Sequence, residues 1–442
     1  MEDNKMKLRR FFLIVSLFFV SVSVSTAYAA PKIQHWVTDN GVRVYFFPAP
    51  ELPMMDLRVV FDAGSARDDS KQGLALLTNG MLAEGAGGLD TTAIAERFDS
   101  VGASFGNSSH RDMSVVSLRS LTDEKLLSVA LNTFKTVLNQ PDFPKDAFER
   151  ERSRLLVGLE AEKQSPKSIS SLAFFKALYG DHVYANKSNG TVETINAITI
   201  ADMQAFYQKY FVAKNAVVAL VGDLSRQQAE VLVKKVTGDL PSGSAAPAIA
   251  PVKALSQSVE KRIQFPSKQS HLLVGQPGMK RGDPDYFPLY VGNHVLGGSG
   301  LVSILAEEIR EKRGLAYSAY SYFSPMRENG PFTMGLQTKN ASVDEALTVL
   351  KATLAKFINE GPSVKEFEAT KKNLVGGFAL RISSNSKIVE NLASIGFYGL
   401  PLDYLDKYIS KVEAVTLGQV KDAFRRRLNV NKMVTVVVGD AS

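Results

Sequence analysis

The residues best equipped for chemistry lie in one stretch, VLGGSGLVSILAEEIREKRGLAYSAYSYF, positions 295 to 323. Gly297, Gly298 and Gly300 make a flexible turn, after which Leu301, Ile304, Leu305 and Ile309 recur at the spacing of one helix face. Gly314 stops that helix, and LAYSAYSYF alternates as a strand. Arg310 and Tyr317 are thus separated by a helix end and a turn, a spacing that can bring a guanidinium and a phenol to one sheet edge. Composition alone favours a plainer reading, in which Arg310 caps helix carbonyls and Tyr317 fills a strand face. A glycine-rich turn opening a helix can also cradle phosphate, but neither a Walker lysine nor G-x-G-x-x-G is present, which argues against nucleotide.

Metal and nucleophile chemistry have little to work with. The five histidines, His35, His110, His182, His271 and His294, are too far apart for a helical H-x-x-x-H pair. His110, followed by Asp112, reads as a strand-end residue, and His182 as loop packing. No G-x-S-x-G and no cysteine accompany them. The stretch GLALLTNGMLAEGAGG, residues 73 to 88, reads as an amphipathic helix closed by glycines. It holds one carboxylate, Glu84, expected at the surface, and no histidine.

A chain of 442 residues exceeds one ordinary core and implies at least two domains. Its 45% apolar and 22% charged residues are those of a soluble globular protein. Residues 1–30 stand apart. Lys5, Lys7, Arg9 and Arg10 precede the apolar run FFLIVSLFFVSVSV, and Ala27 and Ala29 form an A-x-A cleavage pattern. The run is shorter than the roughly 20 residues a membrane span needs, so a signal peptide and a periplasmic or otherwise exported protein are expected, with no stable span after cleavage. Lack of cysteine excludes disulfides and a lipidated cysteine anchor. The leader holds four basic and two acidic residues, so the mature chain would carry +5 rather than +7, spread too evenly for nucleic acid.

Residues 241–257, beginning PSGSAAPAIAPVKA, have the composition of a linker between an N-terminal domain, 31–240, and a C-terminal one, 258–442. The two resemble each other. ITIADMQAFYQKYFVAKNAVVALVGDLS, residues 198–225, matches VTLGQVKDAFRRRLNVNKMVTVVVGDAS, residues 415–442, without a gap at an offset of 217. Each copy reads as a Thr-capped helix followed by a β-branched strand ending in Gly-Asp. DLRVVFDAG and SHLLVGQPG read as opening strands, MSVVSLRSL and FTMGLQTK as later ones, and DEKLLSVALNTFKTVLNQP and SVDEALTVLKATLAKFINEGPS as equivalent core-facing helices.

FDAGSARDDSKQGLALLTNGML, the stretch from ALYGDHVYANKSNG to ALVGD, and the segment at 295–323 together resemble the pitrilysin and mitochondrial processing peptidase superfamily of inverted-motif zinc peptidases, over nearly the whole mature chain. The resemblance implies an α+β fold of two homologous domains, each a mostly antiparallel sheet packed with helices, forming a clamshell that closes on an extended peptide. That family binds zinc through H-x-x-E-H on its first helix and a Glu on a later one. Aligned through GLALLTNGML, the motif positions carry Leu76, Asn79 and Gly80, and the later Glu falls at Gly158, with Glu160 and Glu162 out of register. Leu and Gly offer no ligand atom and Asn cannot take a proton from water, so the resemblance implies no cofactor in this chain.

The second half keeps the family's Arg and Tyr as Arg310 and Tyr317. The resemblance gives them the role of hydrogen-bonding the scissile carbonyl and stabilising its oxyanion, with Gly297, Gly298 and Gly300 near the substrate. It implies an exported, zinc-free subunit, inactive alone, of a heterodimeric metallopeptidase for unfolded peptides. A zinc-bearing paralogue would supply metal and general base, and the peptide would bind as an added strand. The alternative is a non-catalytic peptide-binding or structural subunit of the same fold.

Overall fold

Runs rich in Val, Phe and Leu alternate with amphipathic segments through residues 32–440, the part of the chain that the computed structural model describes. The expected signal peptide over 1–30 lies outside the described residues. In the first half the runs become β1 (Gln34–Val37), β2 (Arg43–Pro48), β3 (Met54–Phe61), α1 (Leu74–Gly80), a short hairpin of β4 (Gly85–Ala86) and β5 (Leu89–Asp90), and α2 (Thr91–Asp99). There follow β6 (Ser104–Ser109), β7 (Ser114–Leu121), α3 (Glu124–Asn139), α4 (Lys145–Glu162), α5 (Pro166–Tyr179), α6 (Val192–Ala197), α7 (Ile200–Tyr210), β8 (Ala216–Gly222) and α8 (Arg226–Thr237).

The second half repeats the plan. It runs β9 (Val259–Gln264), β10 (Gln269–Pro277), α9 (Tyr286–Asn293), the single turn α10 (Ile304–Ala306), β11 (Ala316–Phe323), β12 (Pro331–Lys339) and α11 (Val343–Glu360). It closes with α12 (Val364–Gly376), α13 (Phe378–Arg381), α14 (Asn385–Tyr398), α15 (Tyr408–Ala414), α16 (Leu417–Arg427) and β13 (Val434–Gly439). The offset of 217 also relates β7 to β12, α3 to α11, α5 to α14 and α7 to α16. Thr199 and Thr416 both close capping boxes at the equivalent helices α7 and α16.

Each half builds one sheet, in the orders β1-β2-β8-β3-β7-β6 and β11-β12-β10-β13-β9. Pairing is antiparallel except for β2 with β8 and β9 with β13. The opening strands read from sequence are therefore not first in either half: β1 and β2 precede β3, and β9 precedes β10. β9, VEKRIQ, is charged and largely exposed, so it carries no apolar signal. Its place is fixed by the parallel partner β13.

One face of each sheet is covered by helices of its own half, Phe134 of α3 and Val233 of α8 in the first, Leu350 of α11 and Phe424 of α16 in the second. The other face is covered by the other half. Leu392, Ile395 and Phe397 of α14 pack on Tyr45, Val217 and Val221 of the first sheet. Phe174 and Leu178 of α5 pack among Val434, Val436 and Val438 of the second. From Ile33 onward the chain is one compact unit.

The 241–257 segment has no regular structure, as its composition predicts, but it is an ordered strap rather than a loose linker. Ile249 is buried, the Ala246 N–H donates to Asn215 Oδ1 at 3.0 Å, and the His182 ring bonds the Ala250 carbonyl at 2.7 Å. Among the described residues no helix is long and apolar enough to cross a membrane.

Candidate functional site

The helix read over 301–309 is broken into pieces. α9 runs into a π turn, His294–Gly298, and the chain then makes a 3-10 turn, Gly300–Val302. Ser303, extended at φ −83° and ψ 156°, starts helix again by accepting the Ala306 N–H on its hydroxyl. α10 widens at once into a second π turn, Glu307–Glu311. Leu305 and Ile309 are buried as expected, but Leu301 is 60% exposed, because it lies before the new helix start.

The three glycines also separate. A Cβ on Gly297 would stand 2.4 Å from the Ser321 backbone nitrogen, so this glycine lets the first π turn press against β11. It is buried and packs the scaffold rather than facing a ligand. Gly298 and Gly300 remain exposed.

Arg310 and Tyr317 come together. The guanidinium carbon lies 5.0 Å from the Tyr317 ring centroid and Nε is 3.4 Å from Glu311. Neither residue does what composition favoured. The carbonyl-capping cation is Arg313, which donates to Glu308 O at 2.7 Å. Gly314, at φ +61°, ends the turn with its N–H on the Arg310 carbonyl. Tyr317 is 85% exposed and stands at an irregularity in β11, an edge strand of its sheet.

The first half shows the contrary arrangement. α1 is held at its start by Asp68, whose carboxylate accepts the Gly73 and Ala75 N–H groups at 2.8 Å each. Burial dominates over those two bonds and pushes the Asp68 pKa up to about 7. Asn79 is fully buried, and its amide donates to Ser108 O of β6 at 2.7 Å. Its own Oδ1 finds no partner. Leu76 is half-buried, and Gly80 and Gly158 are exposed with open space where a side chain would begin. These residues do not fit zinc: one amide oxygen is not a ligand set. Among the described residues no group of three or more His, Cys, Asp or Glu is placed to hold a metal ion. Glu84 corrects the expectation of a surface residue, since it is half-buried, accepts from Thr91 at 3.1 Å and pairs with Arg150.

Sequence reasoning missed the polar hub between the halves. Asp112, buried, accepts from Tyr184 OH at 2.7 Å, from Tyr398 OH at 3.1 Å and from the Arg327 N–H at 2.7 Å. Arg327 also pairs with Asp62 at 3.1 Å. Of this hub the sequence reading named only Asp112, beside His110, because the partners lie far apart in the chain.

Comparisons with known proteins bear on the family and fold that carry these residues. Residues 49–192 match the family model "Insulinase (Peptidase family M16)" and residues 197–374 match "Peptidase M16 inactive domain". A crystal structure of a peptidase M16 inactive domain from Pseudomonas fluorescens is 43% identical, covers 93% of this chain and 98% of its own, and has a TM-score of 0.90. A protease from Helicobacter pylori shares the fold at 19% identity and a TM-score of 0.84, over 93% of this chain and 100% of its own. The non-peptidase homolog YmxG of Helicobacter pylori is 27% identical over 88% of this chain and 90% of its own length. The uncharacterized zinc protease YmxG of Bacillus subtilis is 24% identical over 89% and 95%. With its duplicated α+β plan and, among the described residues, no group placed to hold a metal ion, this chain belongs to peptidase family M16 as a protease-like member.

Proposed function

We propose that this chain is the exported, zinc-free subunit of a heterodimeric metallopeptidase that degrades or processes unfolded peptides. The observation that carries the reading is the meeting of Arg310 and Tyr317 beside an open sheet edge, with Tyr317 85% exposed. An unfolded peptide adds to β11 through main-chain hydrogen bonds, which need no particular sequence. Its carbonyl oxygen then lies where a guanidinium and a phenol can both donate. Charge develops on that oxygen as the carbonyl is attacked, and each aimed donor contributes about 2 to 4 kcal/mol of transition-state stabilisation. A zinc-bearing paralogue supplies the metal ion and general base that Leu76, Asn79, Gly80 and Gly158 do not provide.

The test mixes the purified chain with such a paralogue. Arg310→Ala and Tyr317→Phe should each lower peptide cleavage by about 10²- to 10³-fold without preventing association. Unchanged cleavage would overturn the assignment. The name of the Helicobacter pylori relative, a non-peptidase homolog, favours a second reading as a peptide-binding or assembly subunit. Complex formation without cleavage in any combination is what that reading expects.

A further inference from the structure

A cavity beside α5 and the loop after it takes no part in the assignment above. It holds about 390 Å³ and is walled by Arg111, Lys167 and Lys187, with serine hydroxyls around them and Leu172 and Phe175 as its apolar floor. Glu162 is its one carboxylate, and it is already engaged by Lys187 and by the Asn189 amide, both at 2.6 Å.

Arg111 is fixed by carbonyls and a ring rather than by an acid. One amino group donates to Tyr184 O at 2.8 Å and to Asn186 O at 2.7 Å, and the guanidinium lies 4.0 Å from the Phe175 centroid. The adjacent Asp112 faces Tyr184, Tyr398 and Arg327 instead. Burial lowers the Arg111 pKa to about 10, outweighing the nearby charge of Asp112. Lys167 is exposed at the cavity mouth, and its charge adds to burial in lowering the pKa of the His271 ring. A second cavity of about 410 Å³ continues past Leu172 and Lys187 over Ile169, Ala173 and Ile263, with Lys176 and Lys261 also on its wall. Positive charge along a trough with an apolar floor matches an acidic group beside an apolar side chain of a ligand.

We infer that this cavity binds a carboxylate of a peptide, with Arg111 and Lys167 as its countercharges and the neighbouring trough receiving the adjoining apolar side chain. The inference rests on the peptide-binding part of the reading above. Its test uses the full chain alone and a neutral oligopeptide ending in leucine, labelled at its N-terminus with an uncharged BODIPY dye and made as the free acid, as the C-terminal amide, and as the amide with one internal glutamate.

Binding is read by fluorescence anisotropy. One or both of the carboxylate-bearing forms should bind about tenfold more tightly than the neutral amide, and which of them does so separates a chain end from an acidic side chain. Lys167→Glu should erase that gain with thermal melting unchanged. Equal binding of all three peptides, or a gain that survives Lys167→Glu, overturns the inference and leaves the proposed subunit role standing. Failure of all three to bind overturns the site together with peptide binding by this chain.

Discussion

The two halves fasten a helix to the edge strand of their sheet by the same device and leave different things exposed. In the first, the Asn79 amide holds α1 to Ser108 of β6; in the second, the Asn293 amide holds the end of α9 to Ser321 of β11 at 3.1 Å. The first fastening uses Asn79, and neither Leu76 nor Gly80 beside it carries an ionisable group. The second lies upstream of Arg310, and the chain beyond it passes through two π turns before presenting Arg310 and Tyr317. Packing and chemistry compete for the same positions, and a side chain enclosed as a helix anchor is not available to activate water.

The largest expected effect concerns how the halves interlock. Phe174, from the first half, lies against Gly275 of the second sheet, where a Cβ would meet its ring at 2.8 Å. Phe174→Ala should cost about 3 to 5 kcal/mol. Chemical denaturation should move as one transition, and a split into two would break the picture of halves that cover each other.

Asn79→Ala comes next. It removes the bond to Ser108 O and leaves that carbonyl and the Val115 carbonyl without this donor, a loss of about 1 to 2 kcal/mol in the same measurement. A neutral result would mean that Asn79 is no anchor and that the contrast between the halves is false.

Asp68 gives a pH-dependent effect of definite sign. A carboxyl whose folded pKa lies above its unfolded one binds protons better when folded, so its stabilising contribution is present at low pH. That contribution is lost as pH rises from the ordinary aspartate range through about 7. Relative to Asp68→Asn, the wild-type chain should become less stable between about pH 5 and about pH 8 in urea titrations. A difference that is flat or rises with pH would show that the N–H groups of α1 outweigh burial.

The smallest effect sharpens the contrast from the other side. Arg310→Ala should change stability by no more than about 0.5 kcal/mol, since it removes only a stacking on the exposed Tyr317 and a long ion pair. A loss as large as that of Asn79→Ala would make Arg310 structural.

Much of this was legible in the sequence. The ungapped repeat, the Thr199 and Thr416 caps and the amphipathic α3 and α11 are local patterns, and each falls where spacing places it. Local pattern says that a face is buried and not what buries it, so α5 and α14 gave no sign that each lies on the other half's sheet. Val259–Gln264 escaped because an edge strand with charged residues needs only its backbone to pair. The break at Ser303 hid inside a helical spacing that one extended residue cancels. The trio of Arg111, Lys167 and Lys187 is brought together from three distant segments, so no spacing rule could have found it.

The reciprocal covering by α5 and α14 has a bearing on what one repeat is worth by itself. A single copy would expose the sheet face bearing Tyr45, Val217 and Val221, or its counterpart with Val434, Val436 and Val438, while extending a helix with nothing to lie on. Two identical copies could satisfy each other only by trading that helix, as swapped dimers do. The present chain is that trade made permanent by covalent continuity through the 241–257 strap. An isolated half should therefore be sought as a dimer, not as a monomer.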